Sequence, residues 1–479
     1  MISLLVSIIV LIGGYFILSR ICERIFGIDS KRSTPSKTMA DGVDFVPLPL
    51  WKIFTIQFLN IAGLGPIFGA VAGAMWGPVA FVWIVLGTLF AGGVHDYFSG
   101  MLSVKHKGEN ITEISGRYLG SWVKQFMAIF SVVLLIMVGT VFIMGPAKIL
   151  VGITGGDTFV WVCIIMVYYV LSTILPIDKL IGRIYPVFGI ALLFMAFGIL
   201  FMMVYNNLTV PEITLSNLRN MHHDGTRFPV FPFVFVTIAC GAISGFHATQ
   251  SPLMARCVTN ERQGRPVFFG AMVTEGIVAL IWAAISMCFF GGVDLLNNEM
   301  VASGGNAALV VNQISNSLLG KIGGVLAILG VIAAPITSGD TAFRSARLII
   351  ADLIRFKQGP VMNRIIVSLP LFLVALVLLN MDFAIIWRYF AWTNQTMATI
   401  VLWTITSYLI RENKFYWISL IPAVFMTAVI ITYILVAPEG FGITPGISQL
   451  IGIFSAGLAF LLTMKKIYKK GDLVSVDIS

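Results

Sequence analysis

Apolar residues run through this chain in stretches of about twenty, parted by short polar segments, which is the length a helix needs to cross a hydrocarbon core. The pattern predicts about thirteen membrane spans, near 2–19, 50–75, 79–103, 120–150, 157–176, 183–205, 230–256, 266–290, 317–350, 363–380, 383–410, 415–437 and 447–463. Two of them are interrupted. The stretch "FLNIAGLGPIFGAVAGAMWG", Phe58 to Gly77, carries Asn60, Gly63, Gly65 and Pro66 within its apolar run. The stretch "FPFVFVTIACGAISGFHATQSPLMARC", Phe231 to Cys257, has a small, polar centre from Cys240 to Gly245, followed by Pro252.

The two interruptions stand five spans apart. Spans 50–75 to 183–205 form one five-helix unit and spans 230–256 to 383–410 a second of opposite orientation. Each unit opens on a broken helix, the pattern that points to a secondary transporter with inverted repeats. The expected organisation is an N-terminal helix and loop (1–49), a first repeat (50–205), a linker (206–229), a second, inverted repeat (230–410) and two C-terminal helices with a tail (411–479). A break at mid-membrane frees backbone groups that lipid cannot satisfy, so it must face protein or a water-filled cavity. The N-terminus of a half-helix favours an anion such as a substrate carboxylate, and freed carbonyls suit a small cation. Glycine and proline also serve close packing or a kink. On the first reading, the substrate would meet Gly63, Leu64, Gly65 and Pro66 at one break and Ser244, Gly245, His247 and Gln250 at the other.

Composition and charge sharpen this. The chain is 58% hydrophobic and 11% charged, against about 25% charged in soluble domains. The net charge of +9 has a topological reading rather than a nucleic-acid one. Alternate loops hold Arg20, Arg24, Lys31, Arg32, Lys37; Lys105, Lys107, Arg117; Lys179, Arg183; Arg256, Arg262, Arg265; Arg344, Arg347, Arg355, Lys357, Arg364; Arg411, Lys414; and Lys465, Lys466, Lys469, Lys470. The opposite loops hold only Lys148, Arg219, Arg227, Lys321 and Arg388. The asymmetry places the C-terminus in the cytoplasm and the N-terminus outside a cell membrane. Residues 2–19 read as a retained helix rather than a signal peptide. The five cysteines, Cys22, Cys163, Cys240, Cys257 and Cys288, fit neither a disulfide framework nor a zinc spacing and read as small buried apolar residues. Paired catalytic aspartates, a His-Glu-x-x-His run and a Gly-x-Ser-x-Gly elbow are all missing, so an enzyme is not expected.

A third polar interruption, "VIAAPITSGDTAFRSARLIIADL", contains Thr337, Ser338 and Asp340. Hydroxyl and carbonyl oxygens suit a sodium-like cation, although Thr337 and Ser338 can also bond their own helix backbone. Asp340 is the candidate proton or gating residue, with Asp96 second. His247 could bind a carboxylate or relay a proton. Glu275 reads as lying near the cytoplasmic half with a basic partner, His95-Asp96 as a structural or cytoplasmic-gate element, and His222-His223-Asp224 as a solvated outer loop. The lysines at 465–470 read as a positive anchor.

The five-plus-five arrangement resembles that of sodium-coupled amino-acid transporters of the leucine transporter type. Asn60 to Gly65 is similar to their first break, and Ala334-Pro335-Ile336-Thr337-Ser338 to the Ala-x-x-Thr-Ser pattern of their eighth helix. That resemblance implies a cation site made by the carbonyls of Leu59, Ala62 and Ala334 and the hydroxyls of Thr337 and Ser338. A closer resemblance covers almost the whole chain: "DGVDFVP" (41–47), "IAGLGPIFG" (61–69), "AGGVHDYFSGMLSVKHKG" (91–108), "FVTIACGAISGFHATQSP" (235–252) and "ITSGDTAFRSARL" (336–348) are similar to the carbon starvation protein A family. It implies uptake of peptides, or pyruvate in some members, during nutrient limitation. Many members carry a histidine pair where this chain has Ile56-Gln57, a departure that favours sodium over proton coupling. The expectation is therefore a secondary active transporter, an all-α multi-pass membrane protein that imports a small carboxylated nutrient by cation symport with alternating access. It would need no cofactor beyond a transported or bound Na+ or H+, and no nucleic acid. The alternative is a channel or uncoupled facilitator for small organic anions.

Overall fold

The computed structural model describes residues 1–42, 44–174, 177–381 and 383–476, and among them every regular element is helical. Helices satisfy their own backbone, which is what an apolar chain needs when lipid offers no hydrogen bonds. Among the described residues, eight helices are long and apolar enough to span a membrane, or nine when the bent pair Leu50–Ala62 and Gly65–Trp76 is counted as one span. The other expected spans are also helical but fail that test. They are the shorter Thr158–Ile174, the split pair Val230–Thr237 and Gly245–Ala255, the long Ala307–Leu353 region kinked at Gly320, and Phe383–Arg411. Two loop helices, Ile111–Leu119 and Val293–Ala302, lie where no helix was expected. Side chains at 173–185, 321–329 and 468–476, and that of Lys466, are outside the described ones, and with them Lys179, Arg183, Lys321, Lys469 and Lys470.

Ile2–Phe26 and Pro445–Lys465 are only 22% and 17% buried over their most apolar stretch. Exposed apolar helices at the periphery are lipid-facing surface. The helices around the breaks are the reverse: Glu261–Phe289 is 89% buried over its most apolar stretch. Cys22, Cys240, Cys257 and Cys288 are buried as expected. Cys163 is exposed, on the outer side of Thr158–Ile174, which corrects the expectation for that residue.

The connections sort onto two faces. On one, the N-terminal ammonium pairs with Glu212 of the 206–229 linker, and the Ile213 N–H donates to Ser3 Oγ at 2.8 Å. The Glu212 carboxyl is part-buried, which would raise it, but its bonds to the terminus, Ser3 and Ile2 bring it down to about 2. On the opposite face, residues 27–42 and 44–49 lie against the end of the second broken helix and against Ala333–Leu353. Ser36 Oγ donates to the Val258 carbonyl at 2.7 Å, the Leu48 N–H to the Cys257 carbonyl at 3.3 Å, and Arg344 pairs with Asp44 at 3.8 Å.

The first break is a 50° bend between Leu50–Ala62 and Gly65–Trp76. Gly63 turns it with φ 24° and ψ −136°, a conformation that L side chains rarely adopt. A π-helical turn, Gly65–Gly69, follows immediately. Similar wide turns open the neighbouring helices at Gly87–Gly92, Arg265–Gly270 and Ile328–Ile332. Such turns gather at functional sites, and Gly87 and Gly92 of one of them pack against Ala242 of the second break.

Candidate functional site

The two breaks lie against each other. A β-carbon on Gly65 would collide with the Cys240 side chain, and one on Gly69 would come within 2.9 Å of the Thr237 carbonyl oxygen. Glycine is what lets two interrupted backbones approach this closely at the centre of the molecule.

The first break frees the Leu59 carbonyl, which has no helical N–H beyond Ala62 to accept from. Ser338 Oγ donates to it at 2.8 Å and to the Ala334 carbonyl at 3.1 Å, while Thr337 Oγ1 donates to Ala334 at 2.6 Å. The structure thus brings together Leu59, Ala334, Thr337 and Ser338, from residues almost 280 positions apart. The described bonds of these hydroxyls do not include the Ala62 carbonyl. Asp340 is turned toward Thr158–Ile174, where it bonds Ser172 Oγ, and Arg344 Nη2 donates to the Ser172 carbonyl at 2.8 Å.

At the second break, the half-helix Gly245–Ala255 starts after Ser244. Its exposed N–H end, expected to face a carboxylate, is capped by Asn394 of Phe383–Arg411. Asn394 Oδ1 accepts from the Phe246 N–H at 2.7 Å and from Ser244 Oγ at 3.0 Å, and its amide Nδ2 reaches Cys240 Sγ at 3.8 Å. Gln250 Nε2 donates to Thr249 Oγ1 at 2.9 Å and to Ser345 Oγ at 3.4 Å, tying this half-helix to Ala333–Leu353. Asn394 carries no special pattern in sequence, and nothing there marks it.

His247 leads into a chain of ionisable side chains. Its Nδ1 lies 2.9 Å from Asp96 Oδ2, Asp96 Oδ1 lies 2.7 Å from His95 Nδ1, and His247 Nε2 lies 3.4 Å from Glu275 Oε2. All four side chains are fully buried. Glu275 therefore has His247 of the second break as its described partner, where a lysine- or arginine-like basic residue was expected. His95-Asp96 belongs to the same chain of side chains. Cys240 Sγ, His247 Nε2 and a Glu275 oxygen fall within 4.8 Å of one another, a spacing a metal ion could bridge. In this structure the imidazole and the carboxylate pair with each other instead.

Gln57 and Asn60, one turn apart on the helix before the first break, are fully buried, and none of their four amide atoms has a hydrogen-bond partner. A buried amide group left unpaired costs about 1–3 kcal/mol, and buried amides find partners in protein, ordered water or ligand.

A cavity of about 310 Å³ opens on the face that carries the N-terminus and the 206–229 linker. Its floor is Phe68 of the first broken helix and Thr237 of the second, and its walls are largely aromatic, among them Trp76, Phe233 and Trp387. Arg388 is the one permanently charged residue among the described lining; its Nε pairs with Glu439 at 3.3 Å. His222 and His223, in the outer loop where they were expected, also line it: His222 is half-buried and His223 exposed, and the His222 ring lies 4.5 Å from Trp76, tilted to it, and stacks on His223 at 4.4 Å. Burial, helped by His223, pushes the His222 imidazole down to about 4, so this ring enters the cavity neutral at pH 7. Replacing His222 with Gln is expected to leave the pH dependence of uptake between pH 6 and 8 as it is in the native protein, measured as initial rates.

Comparison with known proteins agrees with this architecture. The family model described as "Carbon starvation protein CstA" matches residues 1–160, 146–318 and 298–433. An uncharacterized membrane protein of Haemophilus influenzae is 43% identical over 343 residues, 61% of this chain and 92% of that protein. The peptide transporter CstA of Campylobacter jejuni is 24% identical over 87% of this chain and 77% of its own length. The pyruvate/proton symporter BtsT of Escherichia coli is 25% identical over 54% of this chain and 45% of its own length. A crystal structure of a mutant manganese transporter of Eremococcus coleocola is similar in fold, with a TM-score of 0.51 and 13% identity over 90% of this chain and 99% of that one. At that identity the likeness is one of fold alone. An all-helical chain with membrane-length apolar helices, two abutting helix breaks and these relatives is a transporter rather than an enzyme, and it belongs to the carbon starvation protein CstA family.

Proposed function

We propose that this transporter imports a small carboxylated nutrient, a peptide or pyruvate, by cation symport with alternating access, in support of growth under carbon starvation. The observation that carries the reading is the meeting of the two breaks beside a cavity open to one face, while on the opposite face Ser36 and Asp44 tie the 27–42 and 44–49 segments to Val258 and Arg344. A substrate entering there meets aromatic walls for its apolar body and Arg388 for its carboxylate. It would then reach the breaks, where Gly63 to Pro66, Ser244, Gly245, His247 and Gln250 surround it and Gln57 and Asn60 offer amide groups that the protein leaves unpaired. Relatives that are a peptide transporter and a pyruvate/proton symporter are both similar to this chain, so peptide and pyruvate are carried together.

Coupling has two candidate seats. One is a sodium ion held by the carbonyls of Leu59, Ala62 and Ala334 and the hydroxyls of Thr337 and Ser338, in which case Ser338 would exchange its bond to the Leu59 carbonyl for the ion. The other is a proton. Asp340 and Asp96 would gate. Release to the cytoplasm requires the 27–42 and 44–49 segments to move away, breaking the Arg344–Asp44 pair and the Ser36 bond.

The reading is tested in proteoliposomes by counterflow, in which labelled substrate outside exchanges for unlabelled substrate inside. Saturable counterflow of labelled pyruvate or of labelled dialanine is the expected result; linear, non-saturating flux would replace the transporter by a channel or facilitator. In the same assay Arg388→Gln is expected to raise KM about tenfold with a smaller change in maximal rate, since a charge-assisted hydrogen bond contributes about 1.5–3 kcal/mol. An unchanged KM would remove Arg388 from carboxylate binding.

A further inference from the structure

Three side chains that can ligate a metal converge at the second break with lone pairs to spare. Cys240 Sγ, His247 Nε2 and a Glu275 carboxylate oxygen lie within 4.8 Å of one another, and all three residues are buried. Neither His247 Nε2 nor either Glu275 oxygen has a hydrogen-bond partner among the described residues. The approach of His247 Nε2 to Glu275 Oε2, at 3.4 Å, is thus a contact without a hydrogen bond. A proton shared between them would draw the pair to about 2.7–2.9 Å. Buried polar atoms normally have partners, and burying a carboxylate without one is costly.

The far side of the imidazole explains why Nε2 is free. His247 Nδ1 lies 2.9 Å from Asp96 Oδ2, and the other Asp96 oxygen lies 2.7 Å from His95 Nδ1. An ionised carboxylate only accepts, so it holds the His247 proton on Nδ1 and leaves the lone pair of the neutral ring on Nε2. A carboxylate behind a histidine is the arrangement that orients metal-bound imidazoles and strengthens them as ligands. On the sulfur side, Asn394 Nδ2 brings an amide donor to 3.8 Å from Cys240 Sγ, a contact that suits a thiolate. Gly241, at φ 95°, turns the chain between Cys240 and the half-helix that carries His247.

We infer that Cys240, His247 and Glu275 bind a divalent ion of the zinc type, which pins the second break to Ala271–Phe289. A thiolate, an imidazole and a carboxylate on one ion suit zinc and its late first-row neighbours, whereas magnesium and calcium take oxygen ligands. Tetrahedral bonds of about 2.0–2.3 Å set ligand atoms roughly 3.3–3.8 Å apart, so His247 and Glu275 already stand at that spacing and the thiol closes on them by about 1 Å. The fourth position takes water. Cys240 comes from the break itself, His247 from Gly245–Ala255 and Glu275 from Ala271–Phe289, so a single ion ties three parts of the chain together. On binding, the thiol gives up its proton. The ion is a resident one, distinct from the ion that couples transport, and the inference holds whatever substrate the protein carries. It gives Cys240 a part beyond packing and makes Asp96 a positioning residue.

The test uses the full chain in detergent, freed of any purification tag, stripped with a chelator and then given zinc chloride. The native protein is expected to keep zinc in equal amount to the chain through desalting, measured by plasma mass spectrometry, and to gain in Tm as zinc is added. Cobalt in place of zinc is expected to give the near-ultraviolet absorption of a thiolate–cobalt bond. Cys240→Ser, checked for a monodisperse elution profile, should abolish that absorption and weaken zinc binding at least tenfold. Asp96→Asn should weaken binding about 10- to 100-fold yet keep the cobalt absorption at saturation, which a merely structural loss would not do. Serine at Cys22, Cys163, Cys257 or Cys288, each replaced singly, should leave the absorption as it is. If Cys240→Ser does not fold, these four variants decide, since absorption that survives all of them comes from Cys240 and absorption lost in one of them overturns the inference. A native protein that keeps no zinc, or shows no thiolate–cobalt absorption, also overturns it. Zinc held equally by the native protein and Cys240→Ser means adventitious metal only, for instance on the outer-loop His222 and His223, and overturns it too. Transport is not part of the readout, so failure of the carboxylate-transporter reading leaves each of these outcomes interpretable.

Discussion

Replacing Gly245 with valine is expected to abolish the folded protein. Gly245 opens the second half of the broken helix, and its α-carbon lies against the backbone of Phe383–Arg411. A β-carbon there would collide with the Asn394 carbonyl oxygen and come within 2.6 Å of both the Ala398 amide nitrogen and the Met397 β-carbon. Two of the obstructing atoms are backbone in the middle of a long helix and the third is a β-carbon fixed to it, so no rotamer change relieves them. Inserting even modest volume into a packed core costs about 1–3 kcal/mol, and a contact against helix backbone lies at the severe end because the neighbour cannot yield. Detergent extracts separated by size exclusion should show at least tenfold less monodisperse protein than the native chain. Gly457→Val is the matched control: nothing lies within 4 Å of a β-carbon at Gly457, so its yield should match the native. A normal elution profile for Gly245→Val would mean that the second break does not pack on Phe383–Arg411 as described.

Asn394→Ala is expected to spare most of the fold and remove most of the transport. One side-chain oxygen holds both Ser244 and the Phe246 N–H, and the same side chain reaches Cys240, so a single amide ties the two sides of the second break to a neighbouring helix. Alanine leaves the buried Phe246 N–H without its acceptor, at a cost of about 1–3 kcal/mol. That loss is small enough for the chain to fold, with a lowered melting temperature, yet it falls where the half-helix must start in register. Initial uptake rates should drop at least tenfold at an unchanged amount of monodisperse protein. Native rates in this variant would show that the start of Gly245–Ala255 is held by its own chain, and Asn394 would lose its assigned part.

The same comparison shows which features of the site were legible without coordinates. The breaks were, because glycine, proline and asparagine stand out against an apolar run: Gly63 and Gly65 mark one and Cys240 to Gly245 the other. The Thr337-Ser338 hydroxyls were, through the resemblance to a cation-binding pattern, and the structure places Ser338 on the Leu59 carbonyl. Asn394 was not, since an amide within a long helix carries no local mark and its importance lies in where Ser244 and Phe246 happen to sit. Arg388 was visible only as one of the few basic residues of its face; that it lines a cavity ending on the breaks depends on packing from several helices. The partner of Glu275 was not legible, because His247 lies 28 positions earlier in the chain and only packing brings the two side chains to 3.4 Å.

Hydropathy is a local quantity, set by which residues follow one another. For that reason the sequence by itself determined the membrane setting, the helical class, the interruption of two spans and the alternation of basic loops. The joining of His95, Asp96, His247 and Glu275 is of another kind. It links helices separated by up to about 180 positions, each of whose side chains alone reads as a misplaced polar group in an apolar segment. Only tertiary packing could decide that these groups meet, because the free energy that justifies burying each of them comes from the others.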